Sequence, residues 1–156
     1  MIVAGIDPGK AGGLAKQRAI GTVEVIPMPV AGKEIDGLAI VDFLNGVDLV
    51  VIEKVASMPK QGVKSSFTFG KGYGTLHGIC WGGPIPFELA TPQRWKGTVL
   101  AGTSKDKDAA IAYCRRRFPH VSLLPTPRCS VPSDGMADAL CLMEYGRRMF
   151  GMEVAA

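Results

Sequence analysis

The chain has 156 residues, a length typical of one domain built around a single core. Apolar residues make up 47% and charged residues 21%, which supplies a normal globular interior, and the net charge of +4 suits contact with phosphates without identifying a nucleic-acid partner. No apolar run approaches the roughly 18–20 residues that span a bilayer, so a membrane protein is excluded and no membrane partner is expected.

The cysteines do not form a metal-binding pattern. Cys80, Cys114, Cys129 and Cys141 contain no C-x-x-C pair, and no histidine cluster lies near them, so a zinc site is not predicted. Without a secretory signal, free thiols in a reducing compartment are expected. We therefore expect a soluble protein in the cytoplasm of a bacterial or phage-infected cell.

The first half of the chain is predicted to supply strands and one helix. Met1 to Ile6 is almost wholly apolar and stops at a Pro-Gly turn, which indicates a short buried strand. Gly12 to Met28 favours two more strands with a turn near residues 19–21. Apolar residues at helical spacing predict a helix from Ile35 to Leu44, and the very apolar segment from Asp48 to Glu53 predicts an interior strand.

The second half alternates helices with one strand. In chain order, the patterns predict a helix from Lys60 to Ile79, a strand from Ile85 to Ala90, a short helix opened by Thr91, a helix capped by Thr103 or Ser104 and running to Phe118, a loop from Pro119 to Ser133, and a last helix from Asp134 to Phe150. Three strands followed by alternating strands and helices predict a single α/β domain over residues 1–156, with a central five-stranded mixed sheet flanked by helices.

Four acidic residues occupy places where carboxylates are unusual. Asp7 and Glu53 each end an apolar strand, at the edge where open α/β sheets place their ligand sites. Asp134 and Asp138 lie four residues apart, on one face of the last helix. Taken singly, Asp7 and Glu53 are equally consistent with caps or salt bridges. Asp134 and Asp138, taken as a pair, are consistent with acids that favour a helix N-terminus. Together they predict a carboxylate cluster that binds two hard divalent cations such as Mg²⁺ or Mn²⁺.

Three segments carry a resemblance to RuvC-type Holliday junction resolvases, a family with the RNase H-like fold. Gly5-Ile-Asp-Pro-Gly-Lys-Ala-Gly-Gly13 resembles the first motif of that family. Val50-Val-Ile-Glu53 resembles the second, and Asp134-Gly-Met-Ala-Asp-Ala-Leu140 resembles the last. The resemblance implies metal-dependent hydrolysis of phosphodiester bonds in opposing strands of a DNA four-way junction. Asp7, Glu53, Asp134 and Asp138 would then be the catalytic metal ligands.

The middle of the chain is similar to the DNA-facing segments of the same family. Ser65 to Gly74 resembles its glycine-bearing helix, and Thr91 to Lys96 and Lys105 to Asp108 resemble its basic segments. Phe67, Phe69, Tyr73 and Trp95 are interleaved with basic residues, a mixture suited to phosphates and unpaired bases. The DNA-binding residues so predicted are Lys64, Ser65, Phe69, Lys71, Tyr73, Arg94, Lys96, Lys105 and Lys107, with Lys107 also catalytic and Phe69 the ring that stacks on a base.

Gly70, Gly74 and Gly78 recur every fourth residue of the same predicted helix. Because each glycine weakens a helix, the row suggests a close approach by another backbone. The resemblance implies that this approach is the interface of a homodimer, which would present two active sites to two strands. The alternative is close packing of the helix on its own sheet.

The four-residue spacing of the last acidic pair and the short chain are features of the bacteriophage branch of the family. Three other functions are compatible with parts of this pattern. An RNase H-like nuclease for RNA–DNA hybrids would share the fold. A sugar-kinase or actin-like ATPase would share the Asp7-Pro-Gly-Lys-Ala-Gly12 pattern but requires a longer, two-domain chain. A junction-binding protein without activity is disfavoured because all four acidic positions are filled.

Overall fold

The computed structural model describes residues 1–18, 22–56, 62–103 and 108–151. In chain order its elements are β1 (Val3–Asp7), β2 (Gly13–Gln17), β3 (Val23–Pro27), β4 (Val30–Ala31), β5 (Glu34–Ile35), α1 (Gly37–Leu44), β6 (Leu49–Glu53), α2 (Val63–Gly82), β7 (Phe87–Ala90), α3 (Pro92–Val99), α4 (Ala109–Arg117) and α5 (Asp134–Phe150). Five strands form a sheet in the order β3-β2-β1-β6-β7, with helices on both faces. The predicted five-stranded mixed sheet is therefore confirmed.

The register of the sheet brings two predicted site residues together. Strands β1, β6 and β7 are parallel, whereas β2 is antiparallel to β1 and β3. Ile6 pairs with Ile52 across β1 and β6. Asp7 and Glu53, the next residue of each strand, therefore end neighbouring strands at the same edge of the sheet.

The alternation of side chains along the strands decides which face each residue serves. Ala4 and Ile6 of β1 pack in the core beneath α1 and α2, whereas Val3 packs with α3, α4 and α5. Because side chains alternate, Asp7 follows the parity of Val3 and belongs to the face covered by α5. Glu53 shares that face by the same argument, since it follows Val51 by two residues.

Glycines let α5 lie directly on the sheet. A Cβ on Gly5 in β1 would stand 2.3 Å from the carbonyl oxygen of Ala139 and 2.3 Å from the backbone nitrogen of Met143. A Cβ on Gly135 in α5 would stand 2.2 Å from the carbonyl oxygen of Ala11. Only hydrogen fits at these positions, and the resulting contact sets α5 against the end of β1.

A buried charge network holds the other end of α5. Glu144 is 1% exposed and accepts hydrogen bonds from Arg147 and Arg148. Arg148 also donates to the carbonyl oxygen of Thr98 and to the hydroxyl of Tyr113, which links α5 to α3 and α4. Burial opposes ionisation of Glu144, but the two guanidinium groups outweigh it and hold the pKa of this carboxyl below its usual range.

Several element boundaries differ from the predictions. The helix expected from Ile35 begins at Gly37, because the Asp36 side chain caps it by accepting from the Ala39 nitrogen. Ile35 instead lies in β5, whose short hairpin with β4 was not predicted. The prediction that Thr103 caps the next long helix is wrong, because its hydroxyl donates to Leu100 at the end of α3.

The last two helices of the chain have defined N-caps. The N-cap of α4 is Asp108, and the alternative cap, Ser104, lies outside the described residues. The last helix runs from Asp134 to Phe150 as predicted, capped by the Ser133 hydroxyl.

The four cysteines are all free. None of the helices in the described ranges combines the length and apolar character that crossing a bilayer requires.

Candidate active site

The end of β1 carries a carboxyl group in an unfavourable environment. Burial above all, together with the negative charges of Glu53 and Asp138, raises the pKa of Asp7 to about 8, against a smaller opposing effect of Lys96. Glu53 ends the neighbouring strand β6, and Asp138 lies on α5. Three of the four predicted acids therefore lie close enough for each to act on the others electrostatically.

Asp138 and Asp134 extend this group along α5. The pKa of Asp138 is raised to about 6, chiefly by burial, with the charge of Lys96 lowering it and the charges of Glu53 and Asp134 raising it. Asp134 is exposed at the first residue of the helix, one turn before Asp138. The structure thus brings all four predicted acids to one edge of the sheet, with Asp134 at the rim.

Trp95 has a different role from the one that the sequence suggested. The sequence made Trp95 a candidate for stacking on a base, as one of the interleaved aromatic residues. That prediction is wrong, because Trp95 is 0% exposed. Its indole nitrogen donates a 2.9 Å hydrogen bond to the Glu53 carboxylate. A buried donor on one oxygen fixes the orientation of Glu53, so Trp95 is a positioning residue.

One basic residue of the predicted set lies at the carboxylates. The ammonium group of Lys96 lies 5.1 Å from the centroid of the Trp95 ring, and its charge lowers the pKa of both Asp7 and Asp138. Lys96 is exposed, as is Arg94 on the same helix. Lys105 and Lys107 lie outside the described residues.

The N-terminal half of α2 passes beside the same edge. Phe69 is half-buried, and its ring lies 3.3 Å from where a Cβ on Gly9 would stand, two residues beyond Asp7. The half-buried ring of Tyr73 stacks on Phe69 with centroids 6.4 Å apart. Lys71 forms a 3.0 Å ion pair with Glu34.

The glycine row of α2 does not pack on its own sheet. Gly70, Gly74 and Gly78 are exposed, and among the described residues no atom lies within 4 Å of a Cβ built on any of them. The alternative of close packing within the chain is therefore wrong. The glycines that do permit close approach include Gly5 and Gly135, which the sequence analysis passed over. A glycine inside an apolar strand is the signal that could have found Gly5.

The donor chemistry of the cluster suits a hard divalent cation. The described residues contain no group of three His, Cys, Asp or Glu side chains that could hold a metal ion as they stand. Neighbouring carboxylates nevertheless raise the pKa of Asp7 and of Asp138, which indicates an excess of negative charge in a partly buried place. Oxygen donors with unbalanced charge fit Mg²⁺ or Mn²⁺, provided that the side chains draw together around the ion.

Comparison with solved structures identifies the architecture. The structure of Thermus thermophilus RuvC in complex with a Holliday junction substrate superposes with a TM-score of 0.63, at 20% sequence identity, over 96% of this chain and 96% of that chain. The chain has the RuvC fold. The yeast mitochondrial Holliday junction resolvase shares it with a TM-score of 0.54, at 14% identity, over 94% of this chain and 77% of that one.

A third structure with the RuvC fold comes from a virus. The fowlpox virus resolvase, solved with substrate Holliday junction DNA, has a TM-score of 0.50 at 15% identity, over 91% of this chain and 95% of that chain. No protein-family model and no curated protein matched the sequence. The similarity of this chain to proteins with the RuvC fold therefore lies in its three-dimensional structure and in its short acidic motifs.

The raised pKa values predict a stability that depends on pH and metal. Folded Asp7 and Asp138 hold protons up to about pH 8 and pH 6, whereas the unfolded chain releases them near the ordinary value of 3.8. The contribution of these two groups to the free energy of unfolding is therefore highest below that value and falls as the pH rises, by on the order of 5 kcal/mol between pH 5 and 8. Thermal unfolding in EDTA and in Mg²⁺ measures this.

Added Mg²⁺ should raise the melting temperature more at pH 8 than at pH 5, because only ionised carboxylates bind it. Asp7→Asn should flatten the EDTA profile. A wild-type melting temperature in EDTA that is unchanged from pH 5 to pH 8 would contradict the described environment of these carboxyls.

Trp95→Phe tests the positioning of Glu53. Loss of the indole N–H removes a hydrogen bond to a carboxylate, worth about 1.5–3 kcal/mol, and leaves Glu53 free to turn. We expect Mg²⁺ affinity to fall by roughly tenfold, measured as the Mg²⁺ concentration that gives half of the metal-dependent rise in melting temperature. Circular dichroism serves as the control for the fold. An unchanged Mg²⁺ dependence would show that Trp95 only fills the core.

Proposed function

We propose that the protein is a structure-specific DNA endonuclease that cuts branched DNA, chiefly Holliday junctions, by metal-dependent hydrolysis in opposing strands. The carrying observation is the carboxylate cluster formed by Asp7 and Glu53 at the carboxyl ends of parallel strands and by Asp138 on α5, in which the charges of Glu53 and Asp138 raise the pKa of Asp7. The fold supports this use of the cluster, since two of the similar structures are of resolvases with junction DNA.

The residues in and around the cluster would have different roles. Asp7, Glu53, Asp138 and Asp134 would hold Mg²⁺ or Mn²⁺, two ions per site. When bound, the ions supply an activated water and stabilise the leaving oxygen of the phosphodiester. Trp95 keeps Glu53 oriented, and Lys96 brings a positive charge to the same edge for the phosphate.

The DNA would lie over this edge and along α2. Lys64, Ser65 and Arg94 are exposed and free to reach phosphates. Lys71 would exchange its ion pair with Glu34 for a phosphate, while Phe69 and Tyr73 offer their stacked rings to unpaired bases. Lys105 and Lys107, beyond the described residues, stay predicted phosphate contacts, and Lys107 a predicted catalytic residue.

The exposed face of α2 supports a homodimer. Gly70, Gly74 and Gly78 lie between the apolar side chains of Phe67, which is 74% exposed, and Trp81, which is 70% exposed. A stripe without side chains between two large apolar groups suits the close approach of an identical helix. Two sites related by two-fold symmetry would meet the two strands that must be cut.

A cleavage assay tests the function directly. A labelled synthetic four-way junction and a linear duplex of the same sequence are incubated with the protein in Mg²⁺, Mn²⁺ or EDTA. Paired nicks in opposing junction strands that depend on metal, with little cutting of the duplex, are the expected result. Binding without cutting in any metal would favour a non-catalytic junction-binding protein, and preferential cutting of an RNA–DNA hybrid would favour the other RNase H-like reading.

Gly74→Arg tests the dimer. A long charged side chain in the middle of the glycine stripe should separate the subunits, while the open space around Gly74 leaves the fold of each chain intact. We expect sedimentation equilibrium to change from dimer to monomer, with paired cutting replaced by single nicks. Gly97→Arg, on the exposed surface of α3, is the control for an added charge on a helical glycine. A wild-type monomer would overturn this part of the proposal.

A further inference from the structure

A groove runs along one edge of the sheet, between β3 and the loop that follows α4. Its volume is about 550 Å³, and we call it the β3 groove. Val25 of β3 lines one wall, and Leu124 and Pro125 of the loop line the other. Within the described ranges, the strand order β3-β2-β1-β6-β7 leaves β3 paired on one side alone. The groove therefore gives access to the open side of an edge strand.

The backbone of β3 presents hydrogen-bonding groups to this groove. At one end of the β2–β3 pair, the Arg18 nitrogen donates to the carbonyl oxygen of Thr22. At the other end, the Met28 nitrogen donates to the carbonyl oxygen of Gly12. Because hydrogen bonding alternates along an antiparallel pair, the even-numbered residues of β3 face β2, and the N–H and C=O of Val25 point outward. Neither group of Val25 has a backbone partner among the described residues, so both are available to an added strand.

A second depression continues the groove at the start of β3. Its volume is about 620 Å³, and Val23 and Val121 line both cavities. Phe118, which packs in the core, gives it an apolar floor. Arg117 and Arg147 also line it, and we call it the arginine pocket. The β3 groove and the arginine pocket thus form one continuous surface that is apolar along its length and basic at one end.

The arginine pocket carries an excess of positive charge. The buried carboxylate of Glu144 accepts hydrogen bonds from Arg147 and Arg148. A third guanidinium group, that of Arg117, lies 3.9 Å from the same carboxylate and makes no hydrogen bond within the described ranges. The side chains of Arg117 and Arg147 are 48% and 43% exposed. Since one carboxylate faces three guanidinium groups, two positive charges are uncompensated, which suits a ligand that carries carboxylates.

This surface lies away from the carboxylate cluster. Arg147 follows Asp138 by nine residues in α5, which places it about 13 Å farther along the helix axis. Gln17 lines the arginine pocket and follows Lys16, which pairs with Ala4 near the start of β1. The pocket is therefore at the opposite end of β1 from Asp7, and a ligand there leaves the candidate active site open.

We propose that the β3 groove and the arginine pocket together bind an extended acidic peptide segment of a partner protein. The peptide would add a strand to β3 through hydrogen bonds to Val25, and one of its carboxylates would reach Arg117 and Arg147. An apolar side chain beside that carboxylate would pack on Phe118. A DNA duplex suits this surface poorly, because a phosphate backbone cannot continue the alternating N–H and C=O groups of an edge strand. The inference goes beyond the proposed nuclease function and does not depend on it.

Binding of a synthetic peptide tests the inference. The probe is fluorescein-labelled Asp-Asp-Val-Thr-Val-Phe-Asp-Asp, whose acidic pair at each end serves either strand direction. Fluorescence anisotropy with the whole protein is expected to show saturable binding, which Arg117→Gln weakens by roughly fivefold or more. Arg115→Gln is the matched control, because Arg115 is exposed on the same helix and does not line the pocket. Equal affinity of the two variants for the peptide would overturn the inference.

Alternate N-methylation of the probe tests the added strand. Every second N–H of an added strand faces its neighbour, and the others point away from it. Two peptides are made, each methylated at one of the two alternating sets of amides. One of them should lose binding, whereas the other should bind the protein within about threefold of the unmodified probe, because its methyl groups point away from β3. Equal affinity of the two methylated peptides would rule out strand addition.

The variants also distinguish the other possible occupants. Arg117→Gln is expected to cut four-way junctions like the wild type and to keep its oligomeric state. If a linear duplex displaces the probe and Arg117→Gln weakens duplex binding equally, the pocket belongs to the DNA-binding surface. If Arg117→Gln converts a dimer to a monomer, the occupant is a second copy of this chain. Either result would exclude the partner peptide, and neither depends on whether the carboxylate cluster cuts DNA.

Discussion

Asp7→Asn is expected to abolish junction cutting and to leave junction binding nearly unchanged. The substitution keeps the shape of the side chain but removes a negative charge that would help to hold the cations. A loss of several kcal/mol of transition-state stabilisation lowers the rate by about a thousandfold or more. Single-turnover cleavage and anisotropy on the same labelled junction give the two quantities.

The stability of this variant separates a loss of chemistry from a loss of fold. Since the Asp7 pKa is raised to about 8, replacing the carboxyl with a neutral amide should raise the melting temperature in EDTA at pH 8. Asp42→Asn, which removes an exposed charge on α1, is the matched control and should cut like the wild type. Cutting by Asp7→Asn at more than a tenth of the wild-type rate would place the essential carboxylates elsewhere.

Gly5→Ala is expected to have the largest effect on stability. Its Cβ would stand 2.3 Å from two backbone atoms of α5, neither of which can rotate away as a side chain can. The helix must then move off the sheet, at a cost of about 3 kcal/mol or more. For a chain of this size that lowers the melting temperature by roughly 6–12 °C. Differential scanning calorimetry in EDTA measures the change.

The same displacement should reach the site. Asp138 moves with α5 away from Asp7, and a shift of about 1 Å in a catalytic group can cost a hundredfold in rate. Gly97→Ala is the control, because its Cβ meets no atom of the described residues within 4 Å. If Gly5→Ala unfolds at the wild-type temperature, the contact between α5 and β1 is looser than described.

The acidic site was predictable because it depends on local patterns. Asp7 and Glu53 stand out as carboxylates at the ends of apolar strands, and parallel pairing then places them side by side. The last helix was predictable to the residue, since Ser133 caps it and its apolar spacing is regular. Each inference needed only neighbours along the chain and the rule that parallel strands end at one edge.

The remaining features depend on contacts between distant residues. Trp95 lies 42 residues from Glu53, and nothing in its neighbourhood along the chain distinguishes a buried hydrogen-bond donor from an exposed ring. The β4–β5 hairpin has two residues in each strand, which is too few for the alternation of apolar and polar residues to be recognised in the sequence. The regular spacing of the glycines in α2 could be seen in the sequence. The need for glycine at position 5 could not, because it arises from the contact with α5, more than a hundred residues later in the chain.

The position of α5 in the chain has a consequence during synthesis. This helix supplies Asp138 and covers one face of β1, and its residues are made after all seven strands and the other four helices. A nascent chain that has not yet released α5 from the ribosome lacks one wall of the carboxylate cluster. The order of translation thus delays assembly of the complete carboxylate cluster until α5 has been synthesised.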